Sequence, residues 1–228
     1  VKLIYDGVPS NGQCNNTGTA TTIGNSAFNA NGNDAKYVGY MYGSNIDDAE
    51  NTDDSTIKAM IDTWYEENIS NYESQLEDTV FCNDRSYTAN GSILQFGAYT
   101  RLVENMQPTL MCQDDKDRFA KNAYNTALTY SVGLITADEI VYAGGVYGSP
   151  NSSFYLKSIN SQWSLSPFGS DGNAIAFYLR ADGLIYFRSV FDNGDSSSFP
   201  DVRPVVSLQP GTSKSSGVGT AEEPFIIE

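Results

Sequence analysis

Apolar residues recur at three- and four-residue spacing at Ile57, Met60, Ile61 and Trp64, one stripe that predicts a helix from about Thr56 to Asn68. Asp53-Asp54-Ser55-Thr56 precedes it, and these short oxygen-bearing side chains suit an N-cap with negative charge at the favourable end of the dipole. Tyr72 and Leu76 carry the spacing into a second short helix. Further on, Thr136-Ala137-Asp138-Glu139 is a capping box, which predicts a helix from Ala137 to Ala143 that ends at Gly144-Gly145.

Strand signals surround these helices. Lys2-Leu3-Ile4-Tyr5, Ala35 to Tyr42 and the apolar run Thr129 to Ile135 read as strands, whereas Ser86 to Gln107 reads as loop with one apolar stretch near Ile93-Leu94. Beyond Gly148 the chain is β-structure, with Asp182-Gly183 as a two-residue hairpin turn. That turn pairs Leu179 with Tyr186 and Phe177 with Arg188 on an aliphatic inner face, and Arg180 with Ile185 and Tyr178 with Phe187 on the other. Pro224-Phe225-Ile226-Ile227 is expected to return to the body of the domain after a Ser/Gly-rich tail.

Composition narrows the function classes. The 228 residues, 40% of them hydrophobic, suffice for one domain spanning 1–228. With 13 basic and 28 acidic residues the formal charge is −15, a field that repels phosphate backbones and anionic lipid, so no nucleic acid partner is expected. No run of about 18 apolar residues occurs, so no membrane insertion by this segment is expected. The absence of histidine removes the commonest general base and transition-metal ligand. Three scattered cysteines, Cys14, Cys82 and Cys112, do not make a zinc site. They leave three single-bridge pairings, of which Cys82 with Cys112 is preferred, or three reduced thiols. Abundant Asn, Ser, Thr, Gly and Tyr with little Lys is a habit of exported bacterial proteins, and the start at Val1 suggests a signal or anchor segment outside this chain.

With these segments laid out, the chain resembles C-type-lectin-like domains of bacterial surface proteins, including pilin-like proteins of gut anaerobes. The resemblance rests on Tyr37-Val38-Gly39-Tyr40-Met41-Tyr42-Gly43, Asp54-Ser55-Thr56-Ile57-Lys58, Trp64-Tyr65 and Phe81-Cys82-Asn83-Asp84-Arg85 in the first half. In the second half it rests on Gly133-Leu134-Ile135-Thr136-Ala137-Asp138-Glu139, Trp163-Ser164-Leu165-Ser166-Pro167 and Val202-Arg203-Pro204-Val205. It implies an α+β, C-type-lectin-like fold: two main helices packed on small twisted antiparallel sheets, with long loops carrying the ligand surface and with near termini. Distant relatives of that fold include calcium-dependent lectins, formylglycine-generating enzymes and retroelement-diversified receptors.

Each relative makes a different demand on the sequence. Neither Glu-Pro-Asn nor Gln-Pro-Asp is present, and Asp192-Asn193-Gly194-Asp195 and the Asp47 to Asp54 cluster do not match a full calcium loop. No motif around Cys82 and Cys112 resembles the paired copper-binding cysteines of a formylglycine-generating enzyme, and Glu139, the tempting general acid, is explained by its capping box. The reading is therefore a non-enzymatic domain with no metal and no cofactor. It is extracellular or at the cell surface and binds an unknown protein or glycan, with a diversified C-terminal region as one hypothesis. Tyr155, Asn160, Gln162, Tyr178, Arg180, Asp192, Asn193 and Asp195, with Phe191 as an apolar contact, are the candidate ligand-binding residues. Trp163, Gly183 and Arg203 belong to the frame. The alternative is the head domain of a pilin-like filament subunit, with pilus-like self-assembly. A formylglycine-generating-like enzyme is the weakest of the three.

Overall fold

The computed structural model describes residues 1–8, 21–124, 126–191 and 199–227. It is built mostly of strands. The principal sheet contains β2 (Tyr87–Asn90), β3 (Ile93–Phe96), β4 (Val146–Tyr147), β5 (Gln162–Ser170), β6 (Ala174–Leu179) and β7 (Leu184–Ser189), in the order β2-β3-β5-β6-β7-β4. The β7–β4 pair is parallel and the others are antiparallel. The preceding strand β1 (Lys2–Ile4) pairs instead with β8 (Val205–Ser207), which seals the N-terminal segment against the late part of the chain.

Among the described residues three α-helical segments lie against this framework, besides short 3-10 turns: α1 (Thr56–Asn68), α2 (Gly97–Tyr99) running into a π turn at Thr100–Glu104, and α3 (Ala137–Tyr142). In α1, Ile57, Ile61 and Tyr65 recur every four residues and are buried, and the Lys58 N–H donates to Ser55 Oγ at the cap. The helix stops where Asn68 Nδ2 and Ser70 Oγ donate to the carbonyls of Trp64 and Glu66, satisfying acceptors that further helix would have used. A 3-10 turn, Ser70–Gln75, continues the chain and buries none of its residues. In α3 the capping box forms as its sequence dictates: Thr136 Oγ1 accepts from the Glu139 N–H, and Glu139 Oε2 accepts from the Thr136 N–H.

This architecture corrects the expected C-type-lectin-like, α+β layout of two main helices on small antiparallel sheets. Only α1 exceeds two turns among the described residues, because Ser70, Asn71, Glu73 and Ser74 give the expected second helix no apolar stripe to bury. The segment read as loop, Ser86 to Gln107, supplies β2, β3 and α2. Conversely, Ala35–Val38 is a 3-10 turn before a short strand at Met41–Tyr42, and Thr129 to Ile135 contributes a single bridge, Gly133 to Val205. The C-terminal Ile226–Ile227 pairs with Lys214–Ser216 in a separate exposed ribbon and does not return to the core.

The long strand β5 runs through the middle of the molecule. Its interior proline, Pro167, lacks an N–H for the ladder and sits where the β5–β6 register shifts. Backbone groups displaced by that irregularity find partners elsewhere: the Leu165 N–H donates to the Ile135 carbonyl, and Asn83 Nδ2 donates to the Leu165 carbonyl. Apolar side chains of the sheet enter two cores. Ala174, Ala176, Trp163 and Leu165 pack with Phe28, Ile57 and Ile61, while Phe177, Leu179 and Ile185 pack with Ala98, Leu102 and Ile140.

Cys82 and Cys112 form a disulfide across a sequence separation of 30. Cys14 lies outside the described residues. Closing a loop of that length removes chain entropy from the unfolded state, so reduction is expected to cost about 3–4 kcal/mol. A urea titration with and without reductant measures this; a shift below about 1 kcal/mol would show that the segment between the cysteines is already constrained when unfolded.

Burial also shapes the response to alkali. It raises the phenols of Tyr40 and Tyr65, the latter to about 12, with the carboxylates of Asp62 and Asp54 adding to the effect at Tyr40 and that of Glu73 at Tyr65. An unfolded tyrosine ionises near pH 10, so between about pH 10 and 12 the unfolded chain releases protons that the fold retains. Stability is therefore expected to fall as pH rises through that window, read as a declining urea midpoint; a flat midpoint would contradict it.

Candidate ligand-binding surface

The β6–β7 hairpin positions the candidate surface, and its turn decides which side chains share a face. The observed pairs are Leu179 with Ile185, Tyr178 with Tyr186, Phe177 with Phe187 and Ala176 with Arg188, one residue away from the expected register. The Gly183 N–H donates to the Arg180 carbonyl and the Arg180 N–H to the Leu184 carbonyl, so the loop has three residues, Ala181, Asp182 and Gly183. Gly183 adopts φ 80°, the left-handed conformation that closes a three-residue hairpin. It is doubly required, because a Cβ here would lie 2.0 Å from the Asn151 carbonyl oxygen.

That register brings Tyr178 and Tyr186 directly opposite one another, with Arg180 and Arg188 at the neighbouring same-face positions of the two strands. Tyr178 is half-buried and meets Trp163 edge-on at 6.3 Å, whereas Tyr186 is exposed and its ring stacks on Phe187 and Tyr147. Arg180 Nη2 reaches Asp182 at 3.1 Å across the turn, and the Arg188 guanidinium lies 5.8 Å from the centre of the Phe199 ring. Burial raises the Tyr178 phenol, partly offset by Arg180 and Arg188, so it remains a neutral hydrogen-bonding group at physiological pH.

The other sequence-derived residues divide sharply. Tyr155 is exposed, at 74%, with its ring edge-on to the buried Phe154. Asn160 is exposed and donates from Nδ2 to Asp201 Oδ2, while the buried Gln162 donates from Nε2 to the Leu156 carbonyl, so both amides help to hold the loop. Phe191 is half-buried against the core, and Asp192, Asn193 and Asp195 lie outside the described residues. Among the frame residues, Trp163 is buried and donates from Nε1 to the Ser26 carbonyl. Arg203 joins four segments, donating to the carbonyls of Tyr5 and Leu156, to Gln162 Oε1 and to Asp6 Oδ1.

Tyr186 and Arg188 are absent from the sequence-derived set because the expected register places Phe187 opposite Tyr178. Asp182-Gly183 suits a two-residue loop as well as the last two positions of a three-residue one, so no local signal separates the two turns.

A second concavity, of about 160 Å³, lies beside the disulfide and is lined by Lys2, Asp84, Arg101, Asp138 and Glu139. Each of its carboxylates is engaged: Arg101 grips Asp138 with two 3.0 Å bonds and also pairs with Asp84, while Lys2 pairs with Glu139. This network ties the N-terminal strand and α3 to the π turn. Among the described residues, no group of three or more Cys, Asp or Glu side chains is arranged to hold a metal ion. None of the described helices is long and apolar enough to cross a membrane. No family model, no curated protein and no solved structure matches the chain.

Proposed function

We propose that this domain is an extracellular ligand-binding or adhesion module of a bacterial surface, and that its contact surface is the hairpin face around Tyr178, Arg180, Tyr186 and Arg188. The observation that carries this reading is the cross-strand pairing of Tyr178 with Tyr186 between two arginines. Tyrosine and arginine offer large contact area with directed hydrogen bonds, and they dominate binding hot spots. In a chain of −15 formal charge, a face with two arginines is also a local contrast that orients an acidic or polar partner. The Cys82–Cys112 disulfide supports an oxidising compartment.

A glycan and peptide array probed with the purified domain, with and without chelator, tests this. Ligands found there are expected to bind equally in chelator and to lose about tenfold or more in affinity on Tyr186→Ala or Arg180→Ala. Both side chains are exposed, so the melting temperature should stay within a few degrees of the parent. Binding that persists in both variants would move the site elsewhere, and binding abolished by chelator would overturn the metal-free assignment.

One observation favours the second reading, the head domain of a pilin-like subunit. The C-terminal ribbon exposes Val218, Phe225, Ile226 and Ile227, and a lone two-stranded ribbon is marginal in water. Sedimentation of the domain discriminates: concentration-dependent association that is lost on Phe225→Ser and Ile226→Ser favours assembly, and a monomer at all concentrations favours the free binding module.

A further inference from the structure

Beyond the hairpin, a cavity of about 310 Å³ opens where the end of α1 and the 3-10 turn after it meet the segments around Lys121, Ser131 and Gln209. Its walls carry three carboxylates, Glu73, Glu77 and Asp78, and one cation, Lys121. These groups are not equivalent. Asp78 is saturated: Oδ1 accepts from the Lys121 N–H and Ser131 Oγ, and Oδ2 accepts from the Asn122 N–H and Nδ2. Glu73 pairs with Lys121. Glu77 is half-buried, and its carboxylate has no partner among the described residues.

The second observation is independent of these acids. Tyr65 on α1 is wholly buried, lines the same cavity, and its hydroxyl has no hydrogen-bond partner among the described residues. The ring is fixed by stacking on Tyr130 at 4.7 Å, so the hydroxyl cannot swing away to find one. Native structures rarely leave a buried hydroxyl unsatisfied, and such a group calls for an occupant. Gln209 commits Nε2 to the Leu76 carbonyl, leaving Oε1 as a further acceptor on the wall.

We infer that this cavity binds a primary alkylammonium group, held by the Tyr65 hydroxyl and the Glu77 carboxylate. An ammonium presents three N–H donors and one positive charge, which matches a phenol oxygen, a carboxylate and an amide oxygen. An anion is repelled by the three acids, and a neutral ligand leaves the Glu77 charge unmatched. A hard divalent cation needs several free oxygen ligands converging on it, and Asp78 has none left to give. Burial keeps the Tyr65 phenol protonated to about pH 12, so it serves as a neutral partner.

Amide chemical-shift titration of the whole domain in an amine-free buffer tests the site. The probes are Nα-acetyl-lysine methylamide, its Nε-acetylated neutral counterpart, and butylamine. The charged lysine compound and butylamine are expected to shift the amides of Glu77, Asn122 and Ser131 saturably, and the neutral counterpart is not. Tyr65→Phe and Glu77→Gln should each weaken this about tenfold or more. Tyr65→Phe removes only an unpartnered hydroxyl, so its melting temperature should equal or exceed the parent's. Tighter binding of the lysine compound than of butylamine identifies a polypeptide lysine as the source, and equal binding identifies a free amine. No saturation up to roughly 50 mM, equal shifts from the neutral counterpart, or binding retained in both variants would overturn the assignment and leave a cavity that holds water only. The hairpin variants Tyr186→Ala and Arg180→Ala should leave this titration unchanged.

Discussion

Arg85→Ala is expected to lower the stability of the domain by about 3–5 kcal/mol, the cost of leaving one member of a buried ion pair without the other. Arg85 and Asp117 are both wholly buried. The Arg85 side chain donates from Nε to Asp117 Oδ1 at 2.6 Å and its backbone N–H donates to Oδ2 at 2.7 Å, while the two Nη atoms reach the carbonyls of Met41 and Lys116. Burial pushes the Asp117 carboxyl up, and Arg85 is the principal group pulling it back toward the charged form. Without the guanidinium, Asp117 must stay charged in an apolar setting or take up a proton, and either change costs stability. A double variant, Arg85→Met with Asp117→Leu, removes both charges and should recover most of the loss. Equilibrium urea unfolding of the two variants measures this. A loss below about 1 kcal/mol in Arg85→Ala would show that water reaches Asp117 and that the pair contributes little.

Why this pair is hidden in the sequence, while α1 and the capping box of α3 are not, is a matter of range. The stripe from Ile57 to Trp64 and the Thr136/Glu139 reciprocity are local patterns, complete within one or two turns, and they fold as they read. The partnership of Arg85 with Asp117 spans 32 positions and depends on the strand Phe81–Cys82 pairing with Arg118–Phe119. Likewise Tyr65, Glu77 and Gln209 meet at one cavity only because the chain returns past the end of α1.

Intermediate ranges fail for a different reason. The β6–β7 hairpin is legible as a hairpin, but its register depends on whether the loop holds two residues or three. A one-residue slip exchanges Phe187 for Tyr186 opposite Tyr178 and so changes the chemistry of the candidate surface. In β2 and β3 most side chains remain at least partly exposed, so the sequence there lacks the alternation that a half-buried strand shows. Long-range pairing with β5 orders them, at Gly169 with Gln95 and Ser170 with Leu94.

The frame and the proposed surface meet at Trp163, and its removal should affect both. Trp163→Ala is expected to cost about 3–5 kcal/mol, as deletion of a buried aromatic side chain removes its transfer free energy and leaves a cavity. The cavity would open between Phe28, 5.7 Å away on one side, and Tyr178, 6.3 Å away on the other. Trp163→Phe separates the two consequences. It keeps most of the apolar volume but leaves the Ser26 carbonyl without its indole donor, a loss of about 1–3 kcal/mol. It also leaves Trp64 as the sole tryptophan, so fluorescence then reports on α1 alone. Because the indole is the cross-strand neighbour of Tyr178 and meets its ring edge-on, Trp163→Phe should weaken ligand binding at the hairpin even where the domain remains fully folded. Urea unfolding gives the first quantity and array affinity at low temperature gives the second. Unchanged affinity in a folded Trp163→Phe domain would mean that Tyr178 is positioned by β6 and β7 alone and that Tyr186 and the arginines carry the contact.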